Sequence, residues 1–270
     1  MQFNELDIYC AIYGCFLAAL MGLVMGSFLN CSAIRIVNGE PIARGRSHCM
    51  SCKHVLGARD LVPLFSWLAL KGRCRYCGER IPARYPITEL VAAIAYVSIF
   101  IRYGITAECC ELLILVSLLL VISFCDIEAY LIPDRFIVAG ILVRCAYIIY
   151  AWRMLGADIK SMTITSLIGG FSIALPILVL SIIMDRILGK DSMGGGDIKL
   201  LFMTGLYLPW YINLLGILLA CVCGIIIGLF IRKRNEEGMI PFGPFIAAGV
   251  WICLLCGQEI IDAYLGLFMG

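Results

Sequence analysis

The sequence predicts an all-α, polytopic membrane protein with about eight transmembrane helices and a cytoplasmic four-cysteine zinc insert after the first helix. The first observation is composition: 62% of the 270 residues are hydrophobic and 15% are charged, whereas soluble domains carry about 25% charged residues. The second is the length of the uncharged stretches, and the third is the clustering of basic residues. This composition excludes a disordered chain and an ordinary soluble enzyme. The net charge of +2 also gives no basic field for nucleic acid.

Uncharged stretches locate the membrane spans, because a helix needs about 20 apolar residues to cross the hydrocarbon core. Four stretches satisfy this length, at residues 8–34, 161–184, 200–231 and 238–258. Weaker candidates lie at residues 87–101, 112–125 and 136–152, the last with Arg144 in its middle. A charge at that depth requires an internal partner. Residues 200–231 contain Pro209 and predict either two helices, the first of them short, or a re-entrant half-helix at 200–208 before a span.

The basic residues are concentrated in particular segments of the chain. The polar block at residues 32–84 holds ten of the 21 basic residues and three acidic ones, which places it in the cytoplasm by the positive-inside rule. Alternation of the spans then puts 17 of the 21 basic residues on that side and the N-terminus outside. We therefore expect three regions: a first transmembrane helix at 1–31, a cytoplasmic zinc-binding insert at 32–85, and a membrane-embedded helical domain at 86–270.

Four cysteines of the insert form two C-x-x-C pairs, Cys49 with Cys52 and Cys74 with Cys77, separated by 21 residues. This spacing is typical of a zinc site with four cysteine ligands. Two disulfides or unused thiols are the alternatives, and a reducing cytoplasm disfavours disulfides. Four thiolates leave no open coordination position, so the predicted zinc is structural.

Two aspartates lie at equivalent depth in the predicted topology. Asp126 and Asp197 each follow a helix that runs from outside to inside, and three glycines precede Asp197. Glycine permits a close backbone approach and a positive φ. Two adjacent carboxylates share a proton and can activate a water, one as general base and one as general acid, which is aspartic protease chemistry. The alternative is that both are loop residues at helix ends, with Asp197 as a cap.

Six motifs in order resemble bacterial prepilin peptidases, the type IV leader peptidases of the GxGD aspartyl protease family. Each motif alone is weak, but the series covers nearly the whole chain. The motifs are Gly26-Ser-Phe-Leu-Asn30 with Arg35, the cysteine pairs with Ser66-Trp67 between them, Tyr85-Pro86-Ile-Thr-Glu89, Asp126 with Ile132-Pro133-Asp134, Gly194-Gly195-Gly196-Asp197 with Lys199, and Pro241-Phe-Gly-Pro-Phe245.

The resemblance implies a catalytic pair, Asp126 and Asp197, that removes the basic leader of type IV prepilins and type II secretion pseudopilins at the cytoplasmic face of the bacterial inner membrane. It also implies N-methylation of the new N-terminus with S-adenosylmethionine. The supporting motif residues are Glu89, Pro133, Asp134, Gly194, Gly196 and Lys199. The chain departs from the family at Met50 and at Leu61-Val62, where proline and Asn-Ile are common. A further hypothesis is that Glu128 and Asp134 help to receive the basic leader.

Three other function classes compete with this interpretation. A GxGD intramembrane protease without methyltransferase activity shares the carboxylate chemistry but lacks the four-cysteine insert. A membrane thiol-disulfide oxidoreductase needs cysteine pairs on the outer face, and a transporter needs carboxylates near the midplane. The sequence leaves open which pilins are processed, where the methyl donor binds, whether copies of the chain associate, which aspartate holds the proton and what pairs with Arg144.

Overall fold

The computed structural model describes residues 5–42, 45–189, 193–231 and 240–269, and this part of the chain is helical with no β-strand. The predicted all-α class is confirmed. The helices are α1 (Glu5–Val37), α2 (Phe65–Ala69), α3 (Arg84–Tyr103), α4 (Ala107–Ala129), α5 (Asp134–Leu155), α6 (Ile159–Leu188), α7 (Gly195–Gly205), α8 (Trp210–Ile231) and α9 (Gly243–Met269).

Within the described residues, seven helices are long and apolar enough to cross a membrane, namely α1, α3, α4, α5, α6, α8 and α9. The chain is therefore a multi-pass membrane protein. Helix α7 has 11 residues and rises only about 16 Å, which is too short for a core of about 30 Å. It is the short first helix that the sequence predicts ahead of Pro209. Five of the 17 basic residues used for orientation lie outside the described residues: Arg44, Lys190, Arg232, Lys233 and Arg234.

The chain divides into two compact units, residues 1–109 and 110–270. In the first unit, α1 and α3 pack antiparallel, as successive glycines of α1 show. A Cβ on Gly22 would lie 2.6 Å from the Cα of Ala93, and one on Gly26 would lie 2.8 Å from the Cα of Glu89. Only glycine permits so close an approach of the two backbones.

The insert between α1 and α3 contains α2, a short 3-10 turn (Ala58–Asp60) and two isolated antiparallel bridges, His48 with Val55 and Arg73 with Arg80. Each bridge closes a loop around one cysteine pair. The indole Nε1 of Trp67 in α2 donates to the carbonyl oxygen of Ile81 at 3.1 Å, which ties α2 to the segment before α3.

In the second unit, buried polar contacts join the helices. Arg144 of α5 donates through Nη1 to both carboxylate oxygens of Glu111 in α4, at 3.2 Å each, and through Nε to the Ser166 hydroxyl of α6 at 3.1 Å. Its guanidinium also lies over the rings of Tyr147 and Tyr207, at 5.7 and 5.4 Å. Glu111 and Ser166 are thus the internal partners that a mid-span arginine requires.

Helix α9 is interrupted by a kink. Cys256 has non-helical backbone angles, with φ −143° and ψ 18°. The N-terminal half of α9 therefore has its own axis direction. That half begins at Gly243, which contacts a predicted site residue.

Candidate active site and metal site

Asp126 lies one turn before the end of α4, with 5% of the residue exposed. Its Oδ2 accepts a hydrogen bond from the backbone N–H of Gly243 at 2.8 Å, at the start of α9. A Cβ on residue 243 would lie 2.8 Å from the same oxygen. The glycine therefore lets a backbone donor approach the carboxylate, and this donor stabilises the ionised form.

Asp197 lies in the first turn of α7. Its Oδ1 is buried and has no hydrogen-bond partner within the described part of the chain. Burial, and secondarily the charge of Asp126, raises the pKa of Asp197 to about 6. The structure thus brings the two predicted aspartates close enough for one charge to act on the other.

The three glycines before Asp197 differ in what surrounds them. A Cβ on Gly196 would lie 2.9 Å from the Cβ of Ile132, whereas one on Gly195 would meet nothing within 4 Å. None of the three has a positive φ. The expected close approach therefore exists at Gly196, but the expected positive φ does not, because this segment starts a right-handed helix.

The supporting residues Asp134 and Lys199 form an ion pair. Lys199 of α7 donates through Nζ to both carboxylate oxygens of Asp134, at 2.8 and 3.0 Å, and both side chains are more than half exposed. Pro133 precedes Asp134 in an extended conformation and caps the start of α5. Together with the contact of Ile132 on Gly196, this pair joins the start of α5 to the start of α7.

Glu89 belongs to the first unit, near the start of α3, and is 7% exposed. Its Oε2 accepts the backbone N–H of Leu64 at 2.6 Å. Leu64 has a φ of +61°, which is uncommon and strained for a branched side chain. Glu89 therefore anchors a strained turn of the insert to α3.

The four cysteines form one cluster, with all four Sγ atoms within 4.8 Å of one another. Tetrahedral zinc with Zn–S bonds of about 2.3 Å places its sulfur ligands about 3.8 Å apart, and the Cys49 and Cys77 Sγ atoms are 3.9 Å apart. Backbone N–H groups of Cys52 and then Ser51 lower the pKa of Cys49 to about 6. Metal ligation requires the thiolate form, so the donor set fits zinc.

The two cysteine loops share one backbone design. The amide of Cys49 donates to the carbonyl of His54, and that of Cys74 donates to Glu79, at 2.9 and 2.8 Å. The residue after each pair, Lys53 or Gly78, has a positive φ, +58° and +72°. Both pairs are therefore turned the same way toward the cluster.

Sequence reasoning did not identify Asp60 as a support for this cluster. Its carboxylate accepts hydrogen bonds from Arg75 Nε at 2.7 Å, the Tyr76 hydroxyl at 3.1 Å and the Gly57 amide at 3.1 Å. The bond from Arg75 is the main reason that the pKa of Asp60 is lowered. Arg75 and Tyr76 lie between Cys74 and Cys77, so Asp60 fixes the second loop. Asp60 is one of only three acids within a basic block, and this scarcity is the signal that could have indicated its role.

Comparison with known proteins identifies the family. Residues 20–103 match the bacterial peptidase A24 N-terminal domain, and residues 113–229 match the type IV leader peptidase family. A protein of Pseudomonas putida is 30% identical over 90% of this chain and 91% of its own length. The chain belongs to the type IV leader peptidase family.

Other members of the type IV leader peptidase family are equally similar. A Bacillus subtilis (strain 168) protein is 30% identical over 93% of this chain and 98% of its own length. A Myxococcus xanthus (strain DK1622) protein is 35% identical over 78% of this chain and 61% of its own length. All three relatives are named prepilin leader peptidase/N-methyltransferase. No solved structure matches the chain.

Proposed function

We propose that this protein is a membrane-embedded aspartic endopeptidase that removes the basic leader of type IV prepilins or pseudopilins and N-methylates the new N-terminus. The relatives support the class of activity through their shared name. They do not favour the alternatives, a GxGD protease without methylation or a thiol-disulfide oxidoreductase. The observation that carries the catalytic assignment is the pairing of Asp126 with Asp197 at one site.

The two aspartates have different surroundings, and this difference assigns their roles in the proposal. Burial disfavours a charge on both aspartates, but the Gly243 amide offsets part of that cost at Asp126, which suits the general base. Asp197 is in the environment of a protonated acid, because its Oδ1 has no donor in the described part of the chain and its pKa is raised to about 6. A pair of this kind divides acid and base work in the pH range around and below 6, where Asp197 keeps its proton.

Peptide cleavage then proceeds without a covalent intermediate. Asp126 takes a proton from a water held between the carboxylates, and the water oxygen attacks the carbonyl carbon of the scissile bond. Asp197 donates its proton to the carbonyl oxygen as the tetrahedral intermediate forms. Collapse breaks the C–N bond. The proton on Asp126 passes to the leaving amine, and Asp197 takes a proton from one hydroxyl of the intermediate as the new carboxyl group forms, which restores both aspartates.

Substitution of each aspartate by asparagine tests this assignment with little change in shape. We expect Asp126→Asn and Asp197→Asn each to abolish cleavage of a purified prepilin in detergent, while the control Asp262→Asn, an exposed acid on α9, leaves cleavage intact. All three variants should remain folded and unfold in a single cooperative thermal transition. Leader removal that survives either of the first two changes contradicts the assignment.

We also propose that Cys49, Cys52, Cys74 and Cys77 hold one structural zinc ion. The ion would supply the cross-links that a short polar insert needs to keep its fold. Metal analysis of the purified protein should give about one zinc per chain, and Cys49→Ser should lose it. Cys10→Ser, an exposed cysteine on α1, is the control and should retain the metal. A metal-free parent protein with the insert intact would refute the zinc site.

The methylation step requires a methyl donor, for which the resemblance implies S-adenosylmethionine. The direct test is transfer of a labelled methyl group from S-adenosylmethionine to a cleaved pilin. Absence of label on fully cleaved pilin would reduce the proposal to a peptidase.

For location, we propose the bacterial inner membrane, with residues 32–85 as the cytoplasmic zinc insert between a first helix at 1–31 and a peptidase domain at 86–270. The basic charge of the insert supports this orientation. A phosphatase reporter fused within the insert should stay inactive, because such reporters fold only outside the cytoplasm. High phosphatase activity from that fusion would reverse the orientation.

A further inference from the structure

Residues 61–68 of the insert expose four large apolar side chains, and we call these residues the apolar segment. The four are Leu61, Val62, Phe65 and Leu68, which are 44–60% exposed. Three other large apolar side chains are exposed in the insert as far as the structure describes it, and they lie apart from one another in the sequence. Phe65 and Leu68 are three residues apart on α2 and therefore share a face of the helix. A concentration of exposed apolar side chains in an otherwise polar region marks an interaction surface.

A hydrogen bond fixes the depth of the apolar segment against α3. The backbone N–H of Leu64 donates to Oε2 of Glu89 at 2.6 Å. Glu89 lies five residues after the first residue of α3, which is about 7.5 Å along the helix axis. All 20 residues of α3 are needed to cross a hydrocarbon core of about 30 Å. The apolar segment is therefore held level with the first turns of a membrane-spanning helix.

The surroundings of the apolar segment combine further apolar surface with positive charge. Ile87 and Leu90 lie beside Glu89 on α3, and both are exposed. Arg59 precedes the apolar segment and Lys71 follows it, and both of these side chains are also exposed. Apolar side chains bracketed by long basic ones are typical of segments at the boundary between lipid headgroups and acyl chains. There the apolar side chains enter the lipid and the cations stay with the phosphates.

We propose that the apolar segment docks into the membrane interface, with Phe65 and Leu68 among the acyl chains and Arg59 and Lys71 at the headgroup phosphates. A lipid surface fits this position better than a soluble protein, because the bond to Glu89 holds the segment below the end of α3. The inference requires that α1 and α3 cross the bilayer. It goes beyond the proposed peptidase function and does not depend on it.

The docking has a consequence for the cysteine cluster. The backbone N–H of Gly72 donates to the carbonyl oxygen of Trp67 in α2 at 2.8 Å. Gly72 lies two residues before Cys74, so the second cysteine loop is tied directly to the docked helix. Docking of α2 would therefore keep the four-cysteine cluster close to the membrane surface.

Photocrosslinking tests the docking in the full-length protein. Phe65→p-benzoylphenylalanine keeps an aromatic side chain at an exposed position. The purified variant is reconstituted in vesicles of phosphatidylethanolamine and phosphatidylglycerol and irradiated. We expect the intact mass of the protein to increase by the mass of one phospholipid. Leu68→p-benzoylphenylalanine, on the same face of α2, is the second position and should give the same adduct.

Met50→p-benzoylphenylalanine is the matched control, because Met50 is also 60% exposed but lies on the first cysteine loop. Its lipid adduct should be at least about tenfold less abundant, since burial of one phenylalanine side chain favours the buried state by about that factor. Arg59→Gln combined with Lys71→Gln should lower the yield at position 65 by about fivefold or more, because each cation near an anionic surface contributes about that factor.

The products of crosslinking distinguish the docking from its alternatives. A crosslink from positions 65 and 68 to another part of the chain or to a second copy would overturn the docking and make the apolar segment a protein interface. The absence of any adduct at both positions, or equal lipid adducts at positions 50 and 65, would also overturn it. An unchanged yield in the double glutamine variant would contradict the headgroup contacts. None of these readouts uses prepilin cleavage, so they stand apart from the tests of Asp126 and Asp197.

Discussion

Asp126 and Asp197 are chemically identical side chains whose neighbours make them different. One carboxylate accepts a backbone N–H at 2.8 Å, and the other has a buried oxygen without a donor in the described residues. A donor favours the charged form and burial without one favours the neutral form. The proton of the pair is therefore expected on Asp197.

The raised pKa of Asp197 predicts that the stability difference between the parent protein and Asp197→Asn depends on pH. The pKa is about 6 in the folded protein, against 3.8 for the ordinary carboxyl group. Because the pKa of Asp197 is higher in the folded protein than in the unfolded chain, its protonated form stabilises the fold. This stabilisation is complete below pH 3.8 and is lost as the pH rises through about 6. Asp197→Asn should therefore be more stable than the parent at pH 7.5, by at most about 3 kcal/mol, and equal to it near pH 4.

Thermal unfolding in detergent across this pH range measures the difference. Asp262→Asn serves as the control, because that exposed acid lies away from the paired carboxylates. A parent protein that is more stable than Asp197→Asn at pH 7.5 would show that Asp197 is ionised and stabilised in the folded state. The roles given to the two aspartates would then be reversed.

At the scale of single residues, the sequence predicts the reactive groups but not their partners. Asp126 and Asp197 stand out because acids are rare beside apolar stretches. Gly243 lies inside a motif that the sequence shows, yet its role as a donor depends on where α9 begins in space. The role of Asp60 is also hidden, because its hydrogen bonds join segments that local patterns do not connect.

At the scale of elements, the N-terminus of α7 is fixed by contact with the segment before α5. Gly196 and Gly195 are adjacent glycines with opposite surroundings, and they provide a matched pair of variants. In Gly196→Ala the new methyl group would lie 2.9 Å from the Cβ of Ile132, which cannot rotate away. In Gly195→Ala the methyl group enters open space.

We expect Gly196→Ala to displace α7 and lower the cleavage rate by at least about tenfold, since a shift of about 1 Å in a catalytic group can cost a hundredfold. Gly195→Ala should cleave at the parental rate and unfold at the same or a slightly higher temperature, because alanine favours helix. Prepilin cleavage and thermal midpoints of the two variants check this. Equal cleavage rates in Gly196→Ala and Gly195→Ala would contradict the packing role of Gly196.

Helices were easier to predict than their ends. Apolar runs located every long helix that the structure describes, although the runs of α3 and α5 each contain one charge, because apolar length is what the membrane requires. The boundaries differ since charged residues at a helix end need not stop it: α1 continues through Arg35 to Val37, and α3 already begins at Arg84. The kink falls at Cys256, directly before Gly257, so the sequence holds a glycine that could have indicated it.

At the scale of the whole second unit, the buried contacts of Arg144 connect α4, α5 and α6. Glu111 is 4% exposed, so removal of the arginine alone would leave this carboxylate in the interior without the cation that pairs with it. Removing one charge of a buried pair lowers the free energy of unfolding by about 3–5 kcal/mol, whereas removing both charges often leaves it unchanged. The pair therefore specifies the arrangement of helices more than it adds net stability.

Arg144→Met should accordingly lower the thermal midpoint strongly, and Arg144→Met combined with Glu111→Met should recover much of the loss. Arg153→Met is the control on the same helix, because Arg153 is exposed and lies over Trp152 at 4.6 Å. It should change the midpoint little. A double variant as unstable as Arg144→Met alone would show that the ion pair is not the source of the effect.

The Gly243 donor has a consequence for large-scale mutagenesis. The group that holds Asp126 is an amide of the main chain, and no replacement at position 243 except proline deletes it. A mutational scan would record position 243 as intolerant, because any Cβ there meets the carboxylate oxygen. The scan would thus report only the steric restriction at position 243. The electrostatic contribution of the amide would be measured by a change in the backbone itself, such as an ester in place of the amide.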